Sequence, residues 1–464
     1  MMSKTTMNDV IALAKRRGFI FPGSEIYGGL ANTYDFGPLG VELLRNILNH
    51  WWQFFVTKRQ DMYGLDTSIL MSPKVWEASG HTASFTDALI DCKTCKTRTR
   101  ADHLIEDFTA KQGEELKVEG KTPAELTQLI HDLKIKCPTC GNQAWTEVRS
   151  FNLLFETNIG IVEESQSLAY LRGEIAQGMF VNFKNVLNTM RPKLPFGIAQ
   201  TGKAFRNEIT LGNFIFRTLE FNLAEFEYFF DPEKENWEKF FEKWQTVMQE
   251  FALSLGLSNT NLRWRQHTDE ERSHYSTRTE DLDYEFPFGF KEMFGLAYRT
   301  DYDLRNHMEK SGVDLRYTDP YDPQRKFIPH VIEPTFGINR IFLAMLAQAY
   351  TVDQENNRTY LKLPAKFAPY KIAVFPLVKN KEDIVSKAQE IFDQLKKKTN
   401  VTWDERGNIG KRYLAQDEIG TPYCLTVDYQ TLEDGTVTLR NRDNTHQERL
   451  TVEAVEQHLT SMLS

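Results

Sequence analysis

The chain has 464 residues, 41% of them hydrophobic and 26% charged, and 56 lysines and arginines stand against 64 aspartates and glutamates, for a net charge of −8. This length suggests about three domains, and the composition is that of an ordinary globular protein, which excludes a peptide hormone, a toxin or a single small module. The acidic balance argues against a polybasic coat, so a nucleic-acid partner would have to meet local positive patches.

No segment suggests a membrane span or an exported protein. The longest apolar candidate, residues 341–350, is far shorter than the roughly 18 residues that a span requires, and it contains Gln348. The basic residues 15–17 follow an apolar stretch, whereas in a secretory signal the basic residues come first. We therefore expect a cytoplasmic protein without a membrane segment.

The first strong helical signal follows Gly37 and Pro38, where apolar residues recur at helical spacing over residues 41–55. This pattern predicts a long, broadly apolar helix. Its face carries two adjacent tryptophans, Trp51 and Trp52, and that face is expected to be buried either within one subunit or between two subunits.

The sequence texture changes near residues 88 and 150, which indicates an insertion between them. The insertion contains two Cys-x-x-Cys pairs, Cys92 with Cys95 and Cys137 with Cys140. Such pairs are typical of structural zinc sites, because each two-residue spacer lets both sulfurs face one tetrahedral ion. The long separation of the pairs implies an elaborated hairpin. Disulfides and redox catalysis are the alternatives, disfavoured by a cytosolic location and by the surrounding pattern respectively.

Between residues 150 and 230 the pattern becomes strand-like, and residues 221–230 are apolar on both alternating faces, which predicts a strand in a central sheet. Two predicted neighbouring strands bring charged and aromatic side chains to one surface. These side chains are Arg206 and Glu208 on the first strand, and Phe216, Arg217 and Phe221 on the second.

Two carboxylates, Glu225 and Glu227, lie inside the doubly apolar strand. A buried carboxylate needs a cation or strong hydrogen-bond donors. One interpretation is a pair of internal salt bridges with Arg206 or Arg217. The other is a binding socket for an ammonium group and phosphates.

Residues 197–203 match the spacing of a phosphate-binding loop, but their surroundings do not fit. Ala204 stands where such a loop needs a hydroxyl for magnesium, and Pro192 and Pro195 interrupt the strand that should precede it. The residues that follow predict a strand instead of a helix. We therefore reject a nucleotide-hydrolysing P-loop.

Another phosphate-binding signal lies at residues 333–340, before the apolar helix predicted for residues 341–350. Gly337 permits a close turn, and Arg340 would present its guanidinium beside the free backbone amides of the first helical turn. This arrangement suits a terminal phosphate. The alternative is a capped core helix with a surface arginine.

The last part of the chain begins after a short linker at residues 363–369, which two prolines bracket. Beyond it, residues 371–378 predict a buried strand and residues 381–398 an amphipathic helix. We expect a separate small α/β domain, with Cys424 in its core.

Several segments together resemble the three signature motifs of class II aminoacyl-tRNA synthetases. Residues 34–40 match motif 1, residues 205–208 and 216–221 match motif 2, and residues 333–340 match motif 3, in the family's order and spacing. Further segments resemble the glycyl-tRNA synthetases in particular: residues 21–29, 73–81, 100–103, 172–178, 296–304, 410–413 and 416–422. The resemblance covers nearly the whole chain.

The fold that this resemblance implies is α+β. It consists of a class II catalytic domain built on an antiparallel sheet, a zinc-ribbon-like insertion and a C-terminal α/β anticodon-binding domain. The expected boundaries are 1–87 and 151–365 for the two parts of the catalytic domain, 88–150 for the insertion and 366–464 for the anticodon-binding domain. The resemblance also implies a homodimer of the bacterial type.

The implied function is ATP-dependent attachment of glycine to tRNA(Gly) through a glycyl-adenylate, with Mg²⁺ beside ATP and structural Zn²⁺ in the insertion. By resemblance, Arg206 would clamp the ATP α-phosphate and the amino-acid carboxylate, Arg340 would contact the γ-phosphate, and Glu292 would help to hold Mg²⁺. Glu208 would read adenine, and Phe221 would stack on that base.

The resemblance assigns a larger set of site residues. Those expected to bind ATP are Arg206, Asn207, Glu208, Phe216, Arg217, Phe221, Glu292, Met293, Gly337 and Arg340. Those expected to bind glycine are Arg100, Glu174, Phe221, Glu225, Glu333, Thr335 and Gly337. The catalytic groups are expected to be Arg206, Glu292 and Arg340. Lone histidines such as His81 and His330 are expected to be structural.

The implied chemistry needs positioning and charge neutralisation more than a proton-transferring side chain. A rigid pocket can select glycine by excluding a methyl group, so no editing site is expected. Two other hypotheses remain open. One is a catalytically inactive synthetase-like module that holds nucleic acid, and the other is a synthetase for histidine, threonine or proline.

Overall fold

The computed structural model describes residues 5–160 apart from 115, 117 and 119, together with residues 167–209, 212–268 and 276–463. The helices are α1 (Met7–Arg16), α2 (Pro38–Trp52), α3 (Pro73–Ala78), α4 (His81–Ser84), α5 (Ala101–Ala110), α6 (Pro123–Asp132), α7 (Ala176–Val181), α8 (Phe183–Met190), α9 (Trp237–Ser254), α10 (Tyr302–Ser311), α11 (Ile338–Ala349), α12 (Glu382–Lys396), α13 (Ile409–Ile419), α14 (Tyr429–Asp434) and α15 (Val452–Leu463).

The strands are β1 (Ile20–Pro22), β2 (Tyr34–Phe36), β3 (Met62–Gly64), β4 (Leu70–Met71), β5 (Thr86–Asp91), β6 (Arg98–Arg100), β7 (Arg149–Asn152), β8 (Phe155–Ile159), β9 (Ser167–Leu171), β10 (Phe196–Phe205), β11 (Glu220–Phe230), β12 (Leu262–Gln266), β13 (Arg278–Phe286), β14 (Gly289–Thr300), β15 (Tyr317–Thr318), β16 (Lys326–Phe327), β17 (His330–Gly337), β18 (Tyr350–Asp353), β19 (Arg358–Leu361), β20 (Ile372–Pro376), β21 (Val401–Trp403), β22 (Tyr423–Val427), β23 (Thr436–Asn441) and β24 (Gln447–Thr451).

The centre of the molecule is a seven-stranded sheet in the order β12-β13-β14-β17-β11-β10-β3. Every neighbouring pair is antiparallel except β10 with β3, which is parallel. The expected antiparallel sheet and mixed α/β content are confirmed, and the strand predicted for residues 221–230 is β11. Residues 197–203 lie within β10, so the rejected phosphate loop is indeed a strand.

One predicted placement is wrong. Arg206 and Glu208 do not lie on a strand, because β10 ends at Phe205, whose ladder partner is Glu220. The chain leaves the ladder there, since the backbone N–H of Asn207 donates to Leu153 O instead of to β11. Phe216 likewise belongs to a short 3-10 turn, Phe214–Phe216, and Arg217 directly follows that turn, so both precede β11 instead of lying on it. The motif is therefore a loop between two paired strands.

One face of the sheet packs against α2, α9 and α11 in the main hydrophobic core. Pro38 stands in the first turn of α2, as its fixed φ favours. Trp51 is fully buried, with its ring 5.7 Å from that of Phe336. Trp52 packs on Gly64, where an added Cβ would meet the indole at 2.3 Å. Both tryptophans are therefore packed within one chain.

The opposite face of the sheet is covered by α7 and α8. Here apolar residues of the helices pack against Phe196 and Phe229 of the central strands. The odd-numbered positions of β11 face this side, so Glu225 and Glu227 lie on it together with Phe229. The two carboxylates are thus buried between the sheet and α7.

The cysteine-bearing segment folds around a three-stranded sheet, β6-β5-β7, with α5 and α6 packed on a small core of their own. The last part of the chain is a five-stranded sheet, β21-β20-β22-β23-β24, with its own core. β20 and α12 confirm the strand and helix predicted for residues 371–378 and 381–398, and Cys424 is buried as expected. No helix in the described ranges is long and apolar enough to cross a membrane.

Candidate functional site

A cleft of about 610 Å³ opens where β10 ends, beside β14 and the beginning of α11. It brings together most of the residues that the sequence assigned to the nucleotide. Its lining includes Arg206, Glu208, Phe216, Arg217, Phe221, Glu292, Thr335, Gly337 and Arg340. These residues come from distant parts of the chain, so the sheet, and no single motif, assembles the cleft.

Arg206 is held from two sides. Its Nε donates to Gly173 O at 2.9 Å, and its guanidinium lies 5.1 Å from the Phe85 ring and 5.5 Å from the Phe221 ring. The backbone N–H of Arg206 donates to Leu219 O, which anchors the loop. In the described chain Nε is the only atom of this guanidinium with a hydrogen-bond partner, so the rest of the fork can receive an anion.

Arg340 and Glu292 form the far side of the cleft. Arg340 Nη1 lies 2.9 Å from Glu292 Oε2 and donates to Glu292 O at 3.0 Å. Gly337 makes this possible, because an added Cβ would lie 3.0 Å from Arg340 Cδ and 3.2 Å from Met293 O. Burial by itself would raise the pKa of Glu292. The charges of Arg340 and Arg206 outweigh burial and bring the pKa below its ordinary value, so this carboxylate stays ionised.

A second, fully buried group of side chains lies behind the cleft, which we call the pocket cluster. It consists of Glu174, Glu225, Glu227, Arg299, Asp303 and Glu333. Register explains how they meet: Glu225 of β11 is the direct ladder partner of Thr335 of β17, and Thr335 Oγ1 donates to Glu225 Oε1 at 2.9 Å. Glu333 lies two residues away on the same face of β17.

Arg299 is the cation at the centre of the pocket cluster. Its side chain is 1% exposed. Nη1 donates to both carboxylate oxygens of Glu333 at 2.9 Å, and Nε and Nη2 each donate to Asp303 at 2.8 Å. Glu174 lies 3.9 Å from Nη2 and also contacts His81 Nε2 at 3.1 Å. Burial by itself would raise the pKa of Glu174. His81 and Arg299 outweigh burial and bring the pKa below its ordinary value, so Glu174 is an anion.

Two carboxylates of the cluster, Glu225 and Glu227, are short of partners. Among the described residues, neither oxygen of Glu227 and only one of Glu225 has a hydrogen-bond partner. Burial, together with the charges of Glu333 and Glu174, raises the pKa of Glu225 well above its ordinary value. Burial and the charge of Glu333 do the same for Glu227. The cluster therefore holds more carboxylates than its own cations neutralise, and it suits a small cationic ligand.

Neither carboxylate on β11 pairs with the arginines that the sequence offered. Arg206 bonds to Gly173 O, and no ion pair that the structure describes joins Arg206 or Arg217 to Glu225 or Glu227. The interpretation as internal salt bridges with these arginines is therefore wrong. Those two arginines belong to the cleft, and the buried cation is Arg299.

The four cysteines of the insertion converge on one point. Cys92 Sγ lies 3.7 Å from Cys140 Sγ, and Cys95 Sγ lies 3.6 Å from Cys137 Sγ. These distances are far too long for disulfides and close to the roughly 3.8 Å edge of a tetrahedron with zinc–sulfur bonds of about 2.3 Å. All four sulfurs lie within 4.8 Å of one another. Hydrogen bonds with the side chain and the backbone of Thr97 lower the pKa of Cys95 to about 6, which favours the thiolate that a metal requires.

Comparison with known proteins decides the family. Over 462 residues, 99% of each chain, the sequence is 50% identical to the glycine–tRNA ligase of Caldanaerobacter subterraneus subsp. tengcongensis. The chain belongs to the glycine–tRNA ligase family. Other family members include the enzymes of Geobacillus thermodenitrificans, 51% identical over 96% of this chain and 95% of the relative, and of Clostridium tetani, 49% identical over 99% of both.

Two parts of this glycine–tRNA ligase family member also match domain models. Residues 371–462 match the anticodon binding domain, and residues 116–153 match glycyl-tRNA synthetase insertion domain 1. The resemblance found in the sequence is thus confirmed at the level of the family, and so is the anticodon-binding character of the C-terminal part.

Three residues predicted for the site stand apart from the rest. Met293 is completely buried in the main core, and it does not belong to the lining of the cleft. Asn207 anchors the loop through its backbone. Arg100 pairs with Asp87 and Asp102, each within 2.8 Å, and is attracted by Glu208. The structure thus holds Arg100 in ion pairs outside the lining of the cleft.

Sequence reasoning missed several members of the glycine–tRNA ligase pocket cluster. Arg299 and Asp303 lie in the family-like segment 296–304, but no role was assigned to them. Gln177 donates to Glu174 and Asp303, at 2.9 Å and 2.8 Å, and so joins the two ends of the cluster. His81 was expected to be structural, and its contact with Glu174 places it against the pocket. Charge balance was the one signal available, and it shows that the buried carboxylates need a cation without showing which residue supplies it.

Proposed function

We propose that this chain, as a glycine–tRNA ligase, activates glycine with ATP in the cleft and pocket described above and transfers it to tRNA(Gly). The observation that carries the proposal is the position of Thr335 between the cleft and the pocket cluster. Thr335 lines the cleft and also donates to Glu225 in the pocket cluster. An amino acid with its ammonium group at Glu225 would therefore extend its carboxylate toward Arg206, where the α-phosphate of ATP is expected.

Both steps are displacements that need no side-chain base. In the first, a carboxylate oxygen of glycine attacks the α-phosphorus of ATP, the bond to the bridging oxygen breaks, and pyrophosphate leaves. In the second, a terminal ribose hydroxyl of tRNA attacks the adenylate carbonyl, the bond from that carbonyl to the phosphate oxygen breaks, and AMP leaves with the bonding electrons while a phosphate oxygen takes up the hydroxyl proton. Arg206 would neutralise charge at the α-phosphate, and Phe221 would stack on adenine beside Glu208.

The far side of the cleft fits the polyphosphate end of ATP. Arg340, in the first turn of α11, would bind the γ-phosphate with a guanidinium and nearby backbone amides. Glu292 is an ionised carboxylate 2.9 Å from this arginine, which suits one ligand of a magnesium ion. Bound Mg²⁺ would neutralise the charge of the leaving pyrophosphate.

The pocket cluster would select glycine by charge and by size. Glu174 and Glu225 supply the negative charge for the ammonium group. The strands that carry Glu225 and Thr335 are directly paired, so the pocket wall is rigid, and it can exclude a methyl group without a second, editing site.

The domain assignment follows the class II family. In the proposal, residues 1–87 and 151–365 form the catalytic domain, residues 88–150 a zinc-ribbon-like insertion, and residues 366–464 the anticodon-binding domain. The four converging cysteine sulfurs support structural Zn²⁺. All five cysteines are free thiols, which fits the reducing cytoplasm. A homodimer of the bacterial type completes the proposal and rests on the family alone.

The decisive experiment is amino-acid-dependent exchange of labelled pyrophosphate into ATP, without tRNA, across the twenty standard amino acids. Exchange with glycine alone is expected. Exchange with another amino acid would keep the fold and overturn the interpretation of the pocket. No exchange with any of them would favour a nucleic-acid-binding module without catalysis.

A further inference from the structure

A second buried group of charges joins the catalytic part of the chain to the anticodon-binding part. We call it the interdomain cluster, and it consists of Arg358, Asp417, Arg440 and Arg442. Asp417 is fully buried on α13. Its two oxygens accept from Arg440 of β23, at 2.8 Å and 2.9 Å, and Oδ2 also accepts from Arg358 Nη1 of β19 at 2.7 Å.

Only Arg358 in this cluster comes from the catalytic side. Its side chain is 2% exposed. Besides Asp417, its Nη1 donates to Arg442 O at 2.7 Å, and its Nε donates to Asp353 at 2.9 Å. Arg442 returns the contact, because its Nη2 donates to Leu363 O at 2.9 Å. Each part of the chain thus donates hydrogen bonds from an arginine to the other part.

The position of Arg358 links this cluster to the nucleotide cleft. α11 begins next to Gly337, carries Arg340 in its first turn and ends at Ala349. β18 follows directly and pairs with β19, which places Arg358 opposite Asp353. A 12-residue helix spans about 18 Å, so one rigid element and one hairpin connect the cleft to Asp417.

A separate contact supports the same joint. Arg16, the last residue of α1, and Arg17, which follows it, both pair with Glu418, the neighbour of Asp417 on α13, and the Arg16 pair measures 3.2 Å. α1 in turn packs against α11 in the main core. β19 and the end of α1, both on the catalytic side, therefore contact the C-terminal end of α13.

The anticodon-binding part does not need Arg358 for its own charge balance. Asp417 already has a bidentate partner in Arg440, within the same sheet-and-helix unit. Burying a further guanidinium costs desolvation free energy, and such groups are more useful for fixing one arrangement than for adding stability. Arg358 lies outside the lining of the cleft and is not among the groups that contact the pocket cluster, so it has no direct part in glycine activation.

We propose that Arg358 is a positioning residue for the tRNA-dependent step, which holds the anticodon-binding part at a fixed place relative to the cleft through Asp417. The inference rests on the proposed function, because only a tRNA molecule would touch both parts at once. Positioning of this kind contributes to a rate only when both ends of the substrate are bound. Activation of glycine does not involve the second end.

The test compares Arg358→Met, which keeps the bulk and removes the charge, with Arg440→Met, which removes the partner inside the anticodon-binding part. Three quantities are measured on the full chain: glycine-dependent pyrophosphate exchange without tRNA, aminoacylation of full-length tRNA(Gly), and affinity for an isolated anticodon stem-loop. Arg358→Met is expected to lower kcat/KM for aminoacylation on the order of tenfold. Exchange and stem-loop affinity should stay within about twofold of wild type.

Each other outcome overturns the inference. Unchanged aminoacylation in Arg358→Met would show that the joint has no role. A parallel loss of stem-loop affinity, as expected for Arg440→Met, would show that Arg358 only stabilises the anticodon-binding part. A loss of pyrophosphate exchange in Arg358→Met would show that Arg358 stabilises the catalytic part. Arg358→Lys, which keeps the charge, would then recover exchange. Absence of exchange in the wild type would instead refute the proposed function itself.

Discussion

The two buried clusters of charge differ in how completely they are satisfied. In the interdomain cluster, arginines outnumber the one carboxylate, and the surplus donors bond to backbone oxygens such as Gly420 O and Leu363 O. In the pocket cluster, carboxylates outnumber the one arginine, and the oxygens of Glu227 have no partner among the described residues.

This difference shows that hydrogen-bond pairing alone can distinguish a structural contact between two domains from a ligand-binding site. A buried polar group without a partner costs free energy. A cluster that contains unpaired buried groups is therefore arranged for a ligand that pairs with them when it binds. A cluster that leaves none of its buried polar atoms unpaired, as the interdomain cluster does, holds protein to protein. The comparison predicts that changes in the pocket cluster and its cleft affect glycine activation, whereas changes in the interdomain cluster affect only the step with tRNA.

The largest effect is expected at the anion side of the cleft. Arg206→Ala removes the guanidinium that would neutralise the α-phosphate, so pyrophosphate exchange should fall on the order of a hundredfold to a thousandfold. Arg263→Ala, on the outer strand β12, is the matched control and should keep wild-type exchange. Retained exchange in a folded Arg206→Ala protein would show that the cleft is not the activation site.

The next effect concerns the charge that would bind the ammonium group. Glu225→Gln keeps the shape and the hydrogen bond to Thr335 but removes the negative charge, so the KM for glycine should rise on the order of tenfold to a hundredfold. The KM for ATP should stay near the wild-type value. Glu280→Gln, a buried glutamate of β13 that pairs with Arg278, serves as the control. An equal rise in both KM values would mean a distorted cleft instead of a lost charge.

A smaller effect on activation is expected from the cysteines. Replacing Cys137 and Cys140 together by serine removes two of four sulfurs, so bound zinc, measured by metal analysis, should disappear. Local stability of the insertion should fall with it. Glycine activation should fall less than in the Glu225 variant, because none of the four cysteines belongs to the lining of the cleft or to the pocket cluster. Cys424→Ala should keep the metal, and purified native protein without zinc would refute the site.

The sequence predicted the parts of the site that are local in the chain. Arg206 and Glu208 stand in one short segment, and Gly337 and Arg340 in another, so motif and helix position were enough to find them. The error in this region was also local. β10 was extended past Phe205, because alternation continues while the hydrogen bonds of the ladder do not.

The pocket cluster and the interdomain cluster depend on contacts that no local pattern contains. Thr335 and Glu225 are 110 residues apart, and Arg358 and Asp417 are 59 residues apart. Strand register decides the first contact and domain docking the second. The buried glutamates of β11 could be recognised as unusual from sequence, but the cation of the cluster, Arg299, which pairs with Glu333 and Asp303, required the fold.

The smallest expected effect tests whether the pocket cluster really holds surplus protons. Burial raises the pKa of both Glu225 and Glu227 well above the ordinary value of 4.5, so the free protein keeps protons there up to a higher pH than exposed glutamates do. An arriving ammonium group lowers these pKa values again, and binding must release protons. Glycine affinity should therefore increase as pH rises, over the range between the pKa of the bound state and that of the free state.

Glu227→Gln removes one titrating group while keeping its size and a neutral form. With one carboxylate fewer, the remaining ones repel each other less and hold fewer protons, so the variant should release fewer protons and show a flatter pH dependence of glycine affinity. Calorimetry of glycine binding in two buffers with different ionisation enthalpies measures the number directly. Glu280→Gln should match the wild type. Equal proton release in wild type and Glu227→Gln would mean that Glu227 does not share the protons of the cluster, and that its oxygens find partners that an ion or water supplies.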